Sequence, residues 1–328
     1  MWYVYFSILC ISLIASSTSS KKRVTLLTFD VDGTLVQGSS QAASRSVHSR
    51  SFNYAVSRVY DDDRVATLGH PLAVIPSEKF HGSTDGLISL NIAKFGLGLD
   101  SSVTFPKLQS VFEEMFTFVE GHSDAEVSEG IQALPGVISK LERLALERAE
   151  GNVMCGLVTG NVEGIARKKM RAVGVLQTNA LSPPSEEQLR RKWGNGDYED
   201  CAFLGGFGSD YCSGDLDDLT RNWKDRGEQI LIAVRRAKSM LNADTHVLDR
   251  VVHIGDAIAD IKAATHARDN LGDEICVGVI GVATGKWSKA DLTAACGAYK
   301  AGSYEPVVLE DGINDPKFLT HCLPHTQF

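Results

Sequence analysis

Apolar residues along this chain fall into two alternating kinds of run. The first is short and nearly continuous: "VTLLTF" at 24–29, "VMCGLV" at 153–158, "VVHIGD" at 251–256, "CVGVIGVA" at 276–283 and "PVVL" at 306–309. Such runs of Val, Ile and Leu predict strands buried on both faces, the habit of a parallel sheet. The second kind has helical spacing. Val162, Ile165, Ala166 and Met170 form one stripe, and Ile230, Val234, Ala237 and Leu241 another. Strand and helix in alternation predict an α/β fold, with a parallel sheet carrying helices on both faces.

One interval breaks the alternation. From Ser39 to Gly151 helical periodicity dominates, with Phe52, Ala55, Val56 and Val59 on one stripe and Leu108, Val111, Phe112, Met115 and Val119 on another. A parallel crossover needs only ~12 residues or somewhat more. The surplus predicts a separate helical domain set above the carboxyl ends of the strands, where open α/β sheets bind ligands. The expected division is therefore a core over 21–38, an inserted helical domain over 39–150 and the rest of the core over 151–328.

The first twenty residues differ from all that follow. "WYVYFSILCISLIA" is apolar and uncharged, and is followed by "SSTSS" and then by Lys21, Lys22 and Arg23. It is short for a bilayer span, and its length with Ala15 and Ser17 suits a cleaved signal peptide. An uncleaved anchor and an organelle leader are the alternatives. The secretory pathway or the extracellular space is the expected location, with no stable membrane association once the leader is removed.

The 328 residues carry a formal net charge of -8, with 43% apolar and 23% charged residues. That balance is globular, and it argues against a nucleic-acid partner or an anionic membrane surface. The densest basic cluster, "RKKMR" at Arg167 to Arg171, reads as the solvated face of a helix. Asp61, Asp62 and Asp63 read as a solvated helix end. Of seven cysteines, six remain without Cys10. Cys155 and Cys276 sit in strand-like runs and are expected as buried thiols, while Cys201 with Cys212, and Cys296 with Cys322, have the option of pairing.

Candidate chemistry lies where the strand-like runs end. "TLLTFDVDGTLV" places Asp30 and Asp32 two residues apart at the end of the first run, with Gly33 behind them. "GLVTGN" ends in Thr159, Gly160 and Asn161, and "VVHIGDAIAD" brings Asp256 and, one turn on, Asp260. In a parallel sheet these ends converge. Clustered carboxylates demand a cation, and their hard oxygens suit Mg²⁺. The Thr159–Asn161 helix start and the backbone at Gly33 offer donors to an anion. Together they describe phosphoryl transfer to a carboxylate: Asp30 as nucleophile, Asp32 as general acid and then base, Thr159 on a phosphoryl oxygen, and Mg²⁺ on Asp30 and Asp256. His253, inside an apolar run, reads as a hydrogen-bonded core histidine.

"DVDGTLV", "LVTGN" and "IGDAIADI" resemble motifs I, II and IV of the haloacid dehalogenase superfamily, over roughly Val24 to Asp315. "FHGSTDGLISL", "ALPGV", "GGFGSD" and "VGVATGKWSKADL" look like segments of its phosphoglycolate phosphatase-like branch. The resemblance implies a Rossmann-like three-layer core with an inserted α-helical cap, and Mg²⁺ dependence. It also implies the Asp32 backbone carbonyl as a metal ligand, Asp260 as a supporting carboxylate, and a small phosphorylated metabolite, 2-phosphoglycolate foremost, as substrate. The superfamily also needs a basic residue, motif III. "WKDRGEQI" points to Arg226, with Lys224 and Lys169 as alternatives, because the insertion "YCSGDLDDLTRNW" blurs the alignment. Ser83 and Thr84 in the cap are expected to approach the leaving group. A phosphomutase, a dehalogenase or a catalytically silent binding protein of the same fold are the rival functions. The oligomeric state is left open.

Overall fold

The computed structural model describes residues 21–38, 46–68, 70–80, 82–181, 204–297 and 305–323. The expected leader, His81 and Cys201 lie outside them. In chain order the strands are β1 (Lys22–Phe29), β2 (Val36–Gly38), β3 (Ile131–Ala133), β4 (Val153–Thr159), β5 (Gly205–Phe207), β6 (His246–Gly255), β7 (Cys276–Val282) and β8 (Val307–Leu309). Six of them make one parallel sheet in the order β5-β4-β1-β6-β7-β8. The chain moves outward from β1 through β4 to β5, then returns to place β6 on β1's other side. The carboxyl end of β1 is thus the point where strand order reverses, the place where such sheets form a crevice.

Side-chain alternation splits the sheet between two cores. On β1, Leu27 and Phe29 join one apolar cluster, while Leu26 joins the other; on β6, Val252 and Ile254 oppose Val251 in the same way. Both faces are covered, so both sets of residues are apolar and the strands read as unbroken hydrophobic runs.

The insertion carries α1 (Val47–Tyr60), α2 (Asp85–Leu97) and α3 (Leu108–Glu120). Phe52, Val56, Leu90, Ile92, Val111 and Met115 form its own apolar core. The chain leaves and re-enters the main body through β2 and β3, which pair antiparallel. The next helix, α4 (Val137–Ala149), lies just before the expected boundary at 150. Its Val137, Leu141 and Leu144 pack into the cluster beneath the sheet, so this part of the chain belongs to the core.

The remaining longer helices are α5 (Glu163–Ala172), α6 (Arg221–Met240), α7 (Ile258–Leu271) and α8 (Lys289–Cys296). α5 overturns the reading of "RKKMR" as a solvated face: Arg167, Lys168 and Lys169 are all buried. Ala166 and Met170 of this helix face the sheet's core, while Ile165 faces the cap's core. Enclosed on two sides, its basic residues meet acidic partners. Lys168 reaches Glu120 and Asp124 at 3.6 Å each, and Arg171 pairs with Asp124 through two bonds of 2.8 and 2.9 Å.

The stretch between β5 and α6 is a second link between core and cap. Leu216 is buried within the cap's apolar cluster. Lys79 donates to the Leu216 carbonyl, Lys94 pairs with Asp217 at 2.9 Å, and the Asn222 amide donates to the Glu78 carbonyl at 3.2 Å. Cys296 and Cys322 are both free thiols, which corrects the option that they pair. Asp61 ends α1 in a left-handed conformation, with φ of 52°. Among the described residues no helix is long and apolar enough to cross a membrane.

Candidate active site

Asp30 leaves β1 with its backbone N–H on the Ile254 carbonyl at 2.9 Å, which fixes it to the adjacent strand. One carboxylate oxygen lies 3.0 Å from the Arg226 guanidinium. Asp256 follows β6, and Asp260 sits in the first turn of α7. Each of Asp30, Asp256 and Asp260 offers an oxygen within 4.8 Å of the others, and all three residues are buried.

Three carboxylates this close repel one another, and the protein compensates unevenly. Burial pushes the Asp30 carboxyl up to about 6, against the pull of Arg226 and with a further push from Asp260 and Asp32. Asp256 is raised well above the usual carboxylate range by burial and by the charges of Asp260 and Asp30. Asp260 goes the other way. Burial would raise it, but Arg226, His253 and the Ala257 N–H hold it below the ordinary value. Two of the three are therefore short of positive charge. Hard oxygen donors with a deficit of positive charge are what a divalent cation such as Mg²⁺ fits.

The backbone is shaped to admit the Asp256 carboxylate. A Cβ on Gly33 would lie 2.4 Å from its Oδ2, and one on Gly285 would lie 1.7 Å from it. Gly33 also has φ of +89°, a conformation that favours glycine. Its carbonyl accepts from Thr284 Oγ1 at 2.6 Å, which locks the turn after Asp32.

Asp32 faces the crevice from a different environment. Lys169 Nζ contacts its two carboxylate oxygens at 2.9 and 2.8 Å and also donates to Asn161 Oδ1 at 2.9 Å. Partial desolvation would raise this carboxyl, whose side chain is half exposed, but the Lys169 ammonium holds it below the usual range. The two carboxylates two residues apart are thus set in opposite directions, because burial outweighs Arg226 at Asp30 whereas Lys169 prevails at Asp32. The alternatives for the basic residue separate accordingly: Arg226 is on Asp30, Lys169 is on Asp32, and Lys224 pairs with Asp218 at 3.5 Å, away from both.

Thr159, Gly160 and Asn161 join β4 to α5 at the same edge, and all line the cavity with Asp30, Asp32 and Gly33. Asp85, the first residue of α2, accepts from Val162 N–H at 2.9 Å and donates its own N–H to the Gly160 carbonyl at 2.8 Å. The cap therefore supplies a polar cap to a core helix whose own Val162 has no capping side chain. His48 adds a 3.0 Å contact to the same Asp85 oxygen. Ser83 lines the cavity, whereas Thr84 does not; its hydroxyl accepts from Leu87 N–H and caps α2. Asp260 lies behind the cavity wall, and His253 bridges it to Thr28 from inside the core.

The cavity measures about 360 Å³. Its upper wall includes Phe80 and Ile88, from the "FHGSTDGLISL" segment, and His48, Ser49 and Phe52, which belong to no motif. For the latter the only sequence signal was the stripe of α1, since His48 and Phe52 are one turn apart and share its inner face.

Residues 24–268 match the haloacid dehalogenase-like hydrolase family. No curated protein matches the chain. Among solved structures, a haloacid dehalogenase-like hydrolase from Streptococcus pneumoniae is 14% identical, covering 88% of this chain and 95% of its own, with a TM-score of 0.40. A putative β-phosphoglucomutase from Thermotoga maritima is 17% identical over 90% and 97%, at 0.38. A β-phosphoglucomutase from Clostridium difficile is 14% identical over 91% and 94%, at 0.41.

Proposed function

Given that the chain belongs to the haloacid dehalogenase-like hydrolase family, we propose that it is a Mg²⁺-dependent phosphatase acting on a small phosphate monoester through an aspartyl-phosphate. The observation that carries this reading is the placement of two carboxylates two residues apart, Asp30 and Asp32, at one sheet edge. One lies among buried carboxylates beside Arg226, and the other is turned to the crevice on Lys169.

The phosphoryl group enters between the ends of β1 and β4. Thr159 and the backbone after it face one side of the group, and Arg226 holds the other. The ester enters as its monoanion and passes its proton to Asp32, a carboxylate on Lys169 in the free protein. Asp30 attacks phosphorus, and the P–O bond to the leaving group breaks as Asp32 delivers that proton to the leaving oxygen. Asp32, now a carboxylate, then takes a proton from water. The water oxygen attacks the aspartyl-phosphate, releasing phosphate and restoring Asp30. Asp30, Asp256 and Asp260, with the Asp32 carbonyl, would hold Mg²⁺, which supplies positive charge against the charge developing on the phosphoryl oxygens.

Hydrolysis of an aryl phosphate with and without Mg²⁺ tests the reading. Turnover that needs the cation, is lost in Asp30→Asn and leaves acid-stable label nowhere but Asp30 supports it. An Asp30→Asn protein with undiminished turnover, or phosphate trapped on another side chain, refutes it.

A further inference from the structure

Two hydroxyls in the cavity wall lack partners. Ser49 on α1 and Ser83 before α2 both line the cavity, at 7% and 9% exposure, and neither Oγ makes a hydrogen bond. An unpaired hydroxyl screened from water is destabilising, so each position is set for a partner that arrives from outside. Around them the cap wall is apolar, with Phe52, Phe80, Ile88, Val119 and Val127.

The wall is also poor in usable charge. Lys169 and Arg226 are the buried cations of the lining, and they are engaged by Asp32 and by Asp30 with Asp260; of the two lining histidines, His48 is on Asp85 and His70 lies against Phe80, 5.3 Å between ring centres. Lys286 is exposed, with its ammonium 5.4 Å from the centre of the Trp287 ring, and an exposed cation adds little to a contact. Asp85 is the acid that the cap contributes, and one of its oxygens already serves both His48 and the Val162 N–H. A carboxylate on the leaving group would enter beside Asp32 and Asp85 with no buried cation to receive it.

We infer that the leaving group is an uncharged alcohol bearing further hydroxyls and an apolar face, with Ser49 and Ser83 as its specificity-determining contacts. The inference rests on the phosphatase reading above and departs from 2-phosphoglycolate, the substrate the motifs suggested. The hydroxyls of such a group pair with Ser49 and Ser83, and its carbon face lies on Phe52 and Ile88. Discrimination follows from what stays unpaired. A site holding buried polar groups rejects an analogue that cannot satisfy them, and an apolar wall rejects a charge.

Two sets of esters test this with purified protein and Mg²⁺. The first shares a two-carbon frame: 2-hydroxyethyl phosphate, 2-aminoethyl phosphate and 2-phosphoglycolate. The hydroxyl ester is expected to exceed both charged ones at least tenfold in kcat/KM. A charged ester that equals or beats it overturns the inference, as does a Lys286→Met change that selectively removes 2-phosphoglycolate turnover.

The second set compares glycerol 1-phosphate with propyl phosphate in wild type, Ser49→Ala and Ser83→Ala. The ratio of their kcat/KM values should fall at least fivefold in each variant, whereas a purely structural loss moves both esters together and leaves the ratio where it was. An unchanged ratio in both variants removes the assigned contacts. Should wild type hydrolyse no ester and Asp30 take up no label, the phosphatase reading itself fails, and this inference with it. Turnover with the wrong ranking sinks the inference alone.

Discussion

Glu163 opens α5 at 2% exposure, and its Oε1 makes no hydrogen bond, only a long ion pair of 4.0 Å with Arg167 Nη1. Burial pushes its carboxyl from 4.5 up to about 7, Arg167 pulls against that, and Asp210 adds to it. Arg236 adds only a weaker pull downward, because two of its nitrogens are on Asp210 at 2.6 and 2.9 Å. The folded protein therefore keeps a proton that the unfolded chain releases, and stability falls as pH rises from about 4.5 through 7. At ~1.4 kcal/mol per pH unit, the displacement is worth about 3 kcal/mol once the group is ionised in both states. Glu163→Gln has the same shape and no charge, so it escapes this penalty. Urea unfolding at pH 5, 6.5 and 8 should show the variant gaining on wild type as pH rises, by up to about 3 kcal/mol at pH 8. The two proteins should converge toward pH 4.5. A difference that is constant with pH, or a variant less stable than wild type at pH 8, would refute the reasoning.

Arg226→Met removes the cation from Asp30 and Asp260 and should lower kcat by roughly a hundredfold or more, with Arg226→Lys recovering part of it in steady-state assays. Leu216→Ala withdraws a buried side chain from the cap's core and should reduce unfolding free energy by about 2–4 kcal/mol, measured by urea denaturation. Gly160→Ala places a Cβ 2.8 Å from Thr84 Cα and 2.9 Å from the Ser83 carbonyl, both backbone atoms. The cap loop must shift, and kcat/KM should fall about tenfold or more while far-ultraviolet circular dichroism is retained.

Much of the core was legible because its strands are covered on both faces, which leaves an unbroken apolar run in the sequence. β5 was not. Its three residues are Gly205, Gly206 and Phe207, and its place depends on distant groups. Arg236 donates to the Gly205 carbonyl, and a Cβ on Gly206 would lie 1.9 Å from the Gln229 carbonyl oxygen of α6. α2 was hidden for the opposite reason: Leu87, Ile88, Leu90 and Ile92 are buried on several sides of the helix, so no polar stripe marks its period. Asp30, Asp32, Asp256 and Thr159 stood out because strand ends announce themselves. The cations entered only as alternatives that the resemblance implied (Arg226, Lys224 and Lys169), since they come from helices and a sequence does not say which carboxylate a long side chain will meet. Ser49 and His48 carried no pattern beyond the face of α1.

The misreading of the basic run has a physical consequence for how the molecule works. A solvated α5 would leave the Thr159–Asn161 turn, proposed to bind phosphate, independent of the cap. Instead, Asp85 of α2 takes the Val162 N–H at the start of α5, Lys168 and Arg171 reach Glu120 and Asp124, and Lys169 on the same helix grips Asp32. Ser83 stands two residues before Asp85, on the loop whose backbone touches Gly160. The contact that seats the cap on the core therefore also sets the distance between the Thr159–Asn161 turn, the proposed phosphoryl site, and the cap wall proposed to select the leaving group. A substitution at Asp85 should then be felt in substrate selection as well as in rate, although Asp85 need not touch the substrate. Asp85→Asn keeps the shape and weakens the bonds to Val162 and His48. It should change the glycerol-to-propyl phosphate ratio of kcat/KM; a uniform loss for both esters would separate cap seating from selectivity and refute the coupling.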